Sequence, residues 1–178
     1  MTGLCIAQSC FLSRKGIAAM EKVIEYRLAG REDVRKILFF IKELAEYEKL
    51  SDRVVADEAL LTEWIFDQKK AEVIFAVENG EEVGFALFFY NFSTFLGRAG
   101  IYLEDLFVLP HKRGLGYGKG LLRQLAKRAV QQNCGRLEWA CLNWNKPSID
   151  FYLSLNAMPM DEWKVYRLEG ESLAEMAE

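Results

Sequence analysis

The sequence is poor in the residues that mark metal-binding and disulfide-bonded proteins. It contains one histidine, His111, and four cysteines that show neither C-x-x-C spacing nor neighbouring histidines. One histidine and scattered cysteines do not build a metal site, so we expect no bound metal. The cysteines, Cys5, Cys10, Cys134 and Cys141, favour free thiols in a reducing cytoplasm over a disulfide framework.

Long apolar runs and a strong charge of one sign are also missing. No stretch approaches the roughly 18 apolar residues of a membrane span, so we expect no membrane association. The formal net charge is −3, which argues against a broad basic footprint for nucleic acid. The 178 residues are 51% hydrophobic and carry no repeat or low-complexity linker, which is enough for one domain with a substantial core.

The first residues differ in composition from the rest of the chain. Residues 1–20 contain no acidic side chain, and their only bases are Arg14 and Lys15. This pattern fits neither a secretory signal, whose charges precede the apolar run, nor an arginine-rich organellar transit peptide. We therefore expect residues 1–21 to be an extension and residues 22–178 to form a single domain.

Apolar periodicity within residues 22–178 predicts a mixed α/β fold. An Asn79-Gly80 dipeptide between two apolar runs predicts a tight hairpin, because it supplies the two positive φ values of a type I′ turn. The second strand of that hairpin is apolar on both faces and should be central. Strands are predicted over residues 23–28, 73–77, 83–92, 101–109, 136–142 and 162–168, and helices over 32–48, 56–67, from the loop after 113 to about 133, 145–156 and 171–178.

The most informative stretch joins an apolar strand to an amphipathic helix through a basic, glycine-rich turn. Pro110 ends the strand, and Gly114, Gly116 and Gly118 then alternate with other residues before the helix. Glycines let the backbone approach a ligand closely, and free amides at a helix N-terminus favour a phosphate. The spacing fits neither a Walker A loop nor a dinucleotide-binding fingerprint.

This turn resembles the pyrophosphate loop of the GCN5-related N-acetyltransferases (GNAT), whose pattern [RQ]-x-x-G-x-[GA] is matched by Arg113, Gly116 and Gly118. The runs KELAEYEKL (42–50), YLEDLFV (102–108), RGLGYG (113–118) and NWNKPSIDFY (143–152) are similar to the spermidine/spermine branch, which includes thialysine and diamine acetyltransferases. The resemblance implies a mostly antiparallel, twisted sheet of six to seven strands with helices on both faces, splayed at the strand that bears Glu104. It also implies acetyl-CoA as co-substrate and a homodimer.

The chemistry of acetyl transfer suggests two catalytic roles, and for Tyr152 the resemblance supports the role as well. Glu104 is the expected general base, acting through a water, and Asp105 is the second choice. Adjacent strand residues face opposite sides, so both could line one cleft only if a β-bulge intervenes. Tyr152 is the expected general acid for the leaving thiolate. His111 lies in a basic loop between Pro110 and Lys112, where a solvated histidine is the simpler interpretation.

Binding residues follow from the matched motifs. Coenzyme contacts are expected from the backbone and side chains of Leu106, Phe107, Val108, Arg113, Gly114, Leu115, Gly116, Tyr117, Gly118, Lys119, Asn145 and Ser148. Acceptor contacts are expected from Tyr47, Glu48, Glu104, Asp105 and Glu162, with Glu46 and Asp161 as further acids of the channel.

An acidic channel attracts a small cationic amine, so we expect transfer of an acetyl group to the primary amine of a polyamine, a diamine or a lysine- or thialysine-like amino acid, by direct attack in a ternary complex. An amino acid would also need a cation for its carboxylate, and Arg98 and Lys164 are the candidates. Two alternatives stay open: a protein or peptide N-acetyltransferase, and a non-catalytic acetyl-CoA-binding module.

Overall fold

A computed structural model describes residues 23–178, so the extension predicted over residues 1–21 lies outside the described residues. The described chain separates into two compact units, residues up to Glu138 and residues Trp139–Glu178. The first unit contains nearly all of the sheet and the glycine-rich turn, and the second contains two short helices.

Within residues 23–178, five strands form one sheet in the order in which they occur along the chain. The first three neighbouring pairs are antiparallel. The strands are β1 (Ile24–Leu28), β2 (Glu72–Glu78), β3 (Glu81–Ser93), β4 (Arg98–Val108) and β5 (Leu137–Trp139). The predicted hairpin is confirmed: Asn79 and Gly80 join β2 to β3 with φ values of 52° and 88°, both in the left-handed region that a type I′ turn requires.

Helices occupy the segments that apolar periodicity indicated. In the first unit they are α1 (Val34–Tyr47), α2 (Glu58–Leu61) and α3 (Tyr117–Gln131), and in the second they are α4 (Lys146–Leu153) and α5 (Glu171–Met176). The segment predicted as one helix over 56–67 begins as α2 and continues as a π-helix over Thr62–Asp67. Single 3₁₀ turns precede α1 and α3.

The core of the first unit lies between α1 and one face of the sheet. Phe40 of α1 is 1% exposed and stacks on Phe85 of β3 with ring centroids 5.3 Å apart. Phe85 is directly opposite Phe107 of β4, which is also buried. Phe88, three residues after Phe85, faces the other side of the sheet, where α3 packs on it. Both faces of the sheet's centre are therefore covered.

Three sequence expectations are wrong in detail. The sheet has five strands and not six or seven, because the segment predicted as a strand over 162–168 forms no strand and leaves side chains such as Tyr166 89% exposed. An apolar run becomes a strand only where a ladder partner exists. The strand predicted over 136–142 is limited to β5 and is half-buried. The far end of β3 is not core, since Phe92 is 62% exposed.

An ion pair fixes the start of α1 against β1. The two terminal guanidinium nitrogens of Arg27 donate to the Asp33 carboxylate, at 2.6 and 2.8 Å. The amide of Gly30 donates to the same carboxylate, and Asp33 is 4% exposed. These hydrogen bonds, chiefly those from Arg27, lower the pKa of Asp33 to about 2 against the opposing effect of burial.

Replacing Asp33 by asparagine should therefore destabilise the fold at neutral pH. A folded-state pKa below the unfolded value gives stability that is present above about pH 4 and is lost as the pH falls towards 2. We expect urea unfolding at pH 7 to show a loss of roughly 2 kcal/mol. The control Asp67→Asn breaks a pair with Arg31 in which both side chains are about half exposed, and should cost under ~0.5 kcal/mol. Equal losses in the two variants would contradict this account.

Candidate active site

The predicted junction of strand, glycine-rich turn and helix is present. β4 ends at Val108, a 3₁₀ turn covers 110–112, and α3 begins at Tyr117 after Gly116. Gly114 and Gly116 have φ values of 75° and 90°, a region that side chains disfavour, and a Cβ at either would meet no atom within 4 Å. The surface at these two glycines is therefore open, and it adjoins the start of α3, where an α-helix leaves its first amides without a partner inside the helix.

Arg113 connects this loop to the end of α1. Its Nε donates to the carbonyl oxygen of Val108 at 3.0 Å. Its guanidinium lies 4.5 Å from the ring centroid of Tyr47 and 5.2 Å from that of Phe107. The motif predicted a phosphate contact for Arg113, and no motif indicated this stacking on two aromatic rings. The positive charge is thus placed beside Tyr47, a predicted acceptor residue.

A β-bulge interrupts β4 at the predicted acidic pair. Leu87 is opposite Asp105, whereas the next residue, Phe88, is opposite Leu103, so Glu104 has no partner in the ladder. The extra residue changes which way the strand faces. Asp105 lies on the same face as Phe107, towards α1, and Glu104 is exposed. Next to β5, the amide of Ile101 in β4 donates to the carbonyl oxygen of Arg136, and the amide of Gly135 donates to the carbonyl oxygen of Ala99.

Three carboxylates come together next to the bulge, and we refer to Glu48, Glu104 and Asp105 as the acidic cluster. Glu48 follows the last residue of α1 and is half-buried, and burial raises its pKa. Burial also raises the pKa of Asp105, to about 7, and the negative charges of Glu104 and Glu48 add to the effect. The end of α1 is fixed by Lys49, whose φ of 61° stops the helix so that Tyr47 and Glu48 face β4.

The other residues of the first unit that are predicted to contact the coenzyme belong to β4, the glycine-rich loop and the first turn of α3. Leu106 and Val108 are half-buried, Phe107 is in the core, and Leu115 and Lys119 are exposed. Arg98 begins β4, ten residues before Val108, and bonds Asn133. A strand rises about 3.3 Å per residue, so Arg98 is roughly 20 Å from the acidic cluster and does not supply its cation.

The second unit carries the predicted acid and two predicted coenzyme residues. Tyr152 is half-buried in α4, with its ring centroid 5.0 Å from that of Trp139 and 5.3 Å from that of Phe151. Asn145 is buried and caps α4, because its side-chain oxygen accepts from the amide of Ser148 at 3.3 Å. The predicted helix start at Asn145 is present, and asparagine is a residue type that favours this capping position. Asp161, Glu162 and Lys164 are exposed and lie outside the helices.

The remaining expectations concern two single residues, the metal site, the cysteines and membrane-spanning helices. Glu46 and His111 are exposed. Among residues 23–178, no group of three or more His, Cys, Asp or Glu side chains is placed to hold a metal ion. Cys134 and Cys141 are not joined to each other by a disulfide. Within the same range, no helix combines the length and the apolarity that crossing a membrane requires.

Sequence reasoning missed one residue beside the loop. Glu78, the last residue of β2, is buried, and its carboxylate accepts from the Tyr117 hydroxyl and pairs with Lys112. Both partners belong to the segment around the glycine-rich loop. A glutamate before an Asn-Gly turn has the sequence pattern of a surface residue, so no local signal could have identified it.

Comparison with known proteins agrees with this geometry. Residues 32–156 match the model of the Acetyltransferase (GNAT) family. A thialysine N-epsilon-acetyltransferase of Bos taurus is 38% identical over 85% of this chain and 95% of its own length. A spermidine/spermine N(1)-acetyltransferase-like protein 1 of Homo sapiens is 30% identical over 86% of this chain and 24% of its own length.

A solved structure shares the fold. The integron cassette protein VCH_CASS6 from the mobile metagenome of V. cholerae superposes with a TM-score of 0.73 at 30% identity, over 86% of this chain and 97% of its own. The family match covers well over half of the residues, and it includes β4, the bulge, the glycine-rich loop and α4. The chain therefore belongs to the GNAT family of acetyltransferases and is an N-acetyltransferase.

Proposed function

We propose that this enzyme transfers the acetyl group of acetyl-CoA to the primary amine of a small cationic acceptor, by direct attack within a ternary complex in the cytoplasm. The observation that carries the proposal is the acidic cluster: three carboxylates meet at a bulge, and the pKa of Asp105 is raised to about 7. Such a site attracts a cation and can exchange a proton near neutral pH.

The glycine-rich loop fits the coenzyme's pyrophosphate. Gly114 and Gly116 leave space for a close approach, and the first-turn amides of α3 supply donors reinforced by the helix dipole. Lys119 is exposed in that first turn and adds a positive charge. In this proposal the amides of Leu106, Phe107 and Val108 hold the pantetheine arm, and Asn145 and Ser148 make further contacts. Acetyl-CoA supplies an activated thioester, so the protein has only to orient it and manage protons.

Proton transfer from the acceptor is the task of the carboxylates. A primary amine has a pKa near 10 and is protonated at pH 7, so it must lose a proton before attack. Glu104 and Asp105 are the two candidate bases, and the raised pKa of Asp105 favours it as the group that takes the proton. Glu104 then contributes by holding the cation and by raising the pKa of its neighbour, or by relaying the proton through a water.

The leaving sulfur needs a proton donor. When the amine nitrogen bonds to the carbonyl carbon and the C–S bond breaks, the departing sulfur must receive a proton. We assign this donation to Tyr152. Backbone amides of β4 near Leu106 are the proposed donors to the negative charge that develops on the carbonyl oxygen.

The class of acceptor follows from the charges around the cluster. The similar proteins are named for thialysine and for spermidine and spermine, which are an amino acid and two polyamines. Tyr47, Glu48 and Glu162 are the proposed acceptor contacts. The Arg113 guanidinium over Tyr47 provides a cation for an amino acid's carboxylate, which Arg98 is too distant to provide.

Activity should be measured with acetyl-CoA and a panel of amines that separates these classes. We expect spermidine, lysine and thialysine to be acetylated with kcat/KM at least about 10²-fold above a lysine-containing peptide, because the peptide does not fit a narrow acidic site. Lysine and cadaverine are a matched pair that differ only in the carboxylate. Faster turnover of the peptide would support a protein acetyltransferase, and calorimetric binding of coenzyme A without turnover of any amine would support a non-catalytic module.

Asp105→Asn should remove the general base and, with it, the pH dependence of activity that its ionisation causes. In the wild type, kcat/KM should rise through about pH 7 as Asp105 ionises, and in the variant kcat should fall about 10²-fold with loss of that inflection. Glu104→Gln removes a negative charge that raises the pKa of Asp105, so its inflection should move to lower pH. The exposed Asp52→Asn is the control, with an unchanged profile. Retention of the inflection in Asp105→Asn would contradict the assignment.

Unfolding measurements give a readout of Asp105 that does not depend on activity. Its folded-state pKa is about 7 and its unfolded value is near 4, so the native state binds more protons between these limits. The free energy of unfolding contributed by this group is therefore fully present below about pH 4 and is lost as the pH rises through 7. We expect Asp105→Asn to gain roughly 4 kcal/mol relative to the wild type between pH 4 and pH 8.

Tyr152→Phe should lower kcat about 10²-fold with little change in the KM for acetyl-CoA, because the hydroxyl acts only when the C–S bond breaks. The phenylalanine ring keeps the contacts with Trp139 and Phe151, so the melting temperature should hardly change. Tyr166→Phe is the matched control, since that tyrosine is 89% exposed in the same unit. Full turnover by Tyr152→Phe would contradict the role of the hydroxyl.

A further inference from the structure

Glu78 is a buried carboxylate that the proposed chemistry does not use. It is the last residue of β2 and is 9% exposed. The Tyr117 hydroxyl donates to its Oε1 at 2.5 Å, and the Lys112 ammonium pairs with its Oε2. A carboxylate removed from water is costly unless both oxygens have partners, and here both do.

Its two partners stand on either side of the glycine-rich loop. Lys112 ends the 3₁₀ turn before the loop, and Tyr117 is the first residue of α3 after it. The residues between them, 113–116, are all exposed, and a Cβ at Gly114 or Gly116 would touch nothing. The loop therefore has little packing of its own, and one carboxylate holds both of its ends.

The strand beneath supports the same helix start. Tyr26 of β1 lies directly opposite Ala76 of β2, two residues before Glu78 and hence on the same face. Its hydroxyl fills the space where a side chain at Gly120 would be, since an ideal Cβ there would lie only 1.7 Å from the oxygen. Tyr117 itself is 1% exposed. The first turn of α3 is thus seated on β1 and β2 by Tyr26, Glu78 and Tyr117.

We propose that Glu78 is a positioning residue for the glycine-rich loop. By holding Lys112 and Tyr117, it arranges the amides of residues 114–118 for a pyrophosphate before the coenzyme binds. This inference rests on the proposed function of the loop. Glu78 does not touch the ligand. Its charge is balanced by Lys112, so it does not repel an anion, and Lys112 acts as a tether and not as a phosphate ligand.

The test compares a substrate that has the pyrophosphate with one that lacks it. Acetyl-CoA and S-acetylpantetheine carry the same thioester and the same pantetheine arm, but only the former reaches the loop. Glu78→Gln keeps an acceptor for Tyr117 and loses the charge that holds Lys112. Tyr117→Phe keeps the buried ring and loses the hydrogen bond. Glu72→Gln is the control, because it breaks the Glu72–Arg128 pair at the other end of the same strand.

We expect Glu78→Gln and Tyr117→Phe each to raise the Kd for coenzyme A, measured by calorimetry, and the KM for acetyl-CoA by about tenfold. The kcat of Glu78→Gln at saturation and its kcat/KM for S-acetylpantetheine should match the wild type, and Glu72→Gln should match it throughout. The double variant loses both contacts of the Glu78 carboxylate, to Lys112 and to Tyr117, so its Kd for coenzyme A should be at least as high as that of the weaker-binding single variant.

Equal losses with acetyl-CoA and S-acetylpantetheine, or an unchanged Kd for coenzyme A, would overturn the positioning role. If Glu78→Gln fails to fold, Tyr117→Phe alone decides. A wild-type protein that binds no coenzyme A would instead refute the proposed function, so the two failures are distinguishable.

Discussion

The burial of Asp105 beside two other carboxylates is the constraint on which the site depends. Ionised carboxylates repel one another at close range, and a group withdrawn from water can remain neutral by holding a proton. The protein accepts this unfavourable arrangement, in which Glu48 and Glu104 both raise the pKa of Asp105. The bulge lies at these residues, since Glu104 has no partner in the ladder with β3 whereas Asp105 is opposite Leu87. Packing of Phe40 on Phe85 and Phe107 holds the strand against α1, so that Glu48 faces the bulge.

At Asp105 the difficulty is burial, whereas at the glycine-rich loop the difficulty is a lack of packing. Its function in our account needs exposed amides and glycines in the left-handed region, and such a segment has almost no side chains with which to fix its own shape. The structure compensates on either side: Glu78 holds Lys112 and Tyr117, and Arg113 bonds Val108 and stacks on Tyr47. Arg113 also places its positive charge over the ring of Tyr47, the proposed acceptor contact at the end of α1. Binding of the coenzyme and of the acceptor would then share one side chain.

Much of the fold and part of the site could be predicted from the sequence, for local reasons. The Asn79-Gly80 turn, the Asn145 cap and the start of α3 after Gly116 depend on residues a few positions apart. The bulge was foreseen only as the condition under which two adjacent acids could share a cleft. Local patterns could not show which segments pair in the sheet or which distant side chains contact each other. The run 162–168 looks like a strand but has no ladder, the end of β3 is apolar but exposed at Phe92, and Glu78 pairs with residues more than 30 positions away.

The central claim is that the Asp105 carboxyl holds a proton near neutral pH and gives up its neutral form when a cationic amine binds. An NMR pH titration of the Asp105 side-chain carboxyl, with carbon-13 label and with Glu104→Gln to identify the coupled partner, measures this directly. The account predicts a midpoint near 7 in the free protein, a lower midpoint in Glu104→Gln, and a still lower midpoint when spermidine is present. A midpoint near the ordinary aspartate value of about 4, unmoved by the amine, would contradict it.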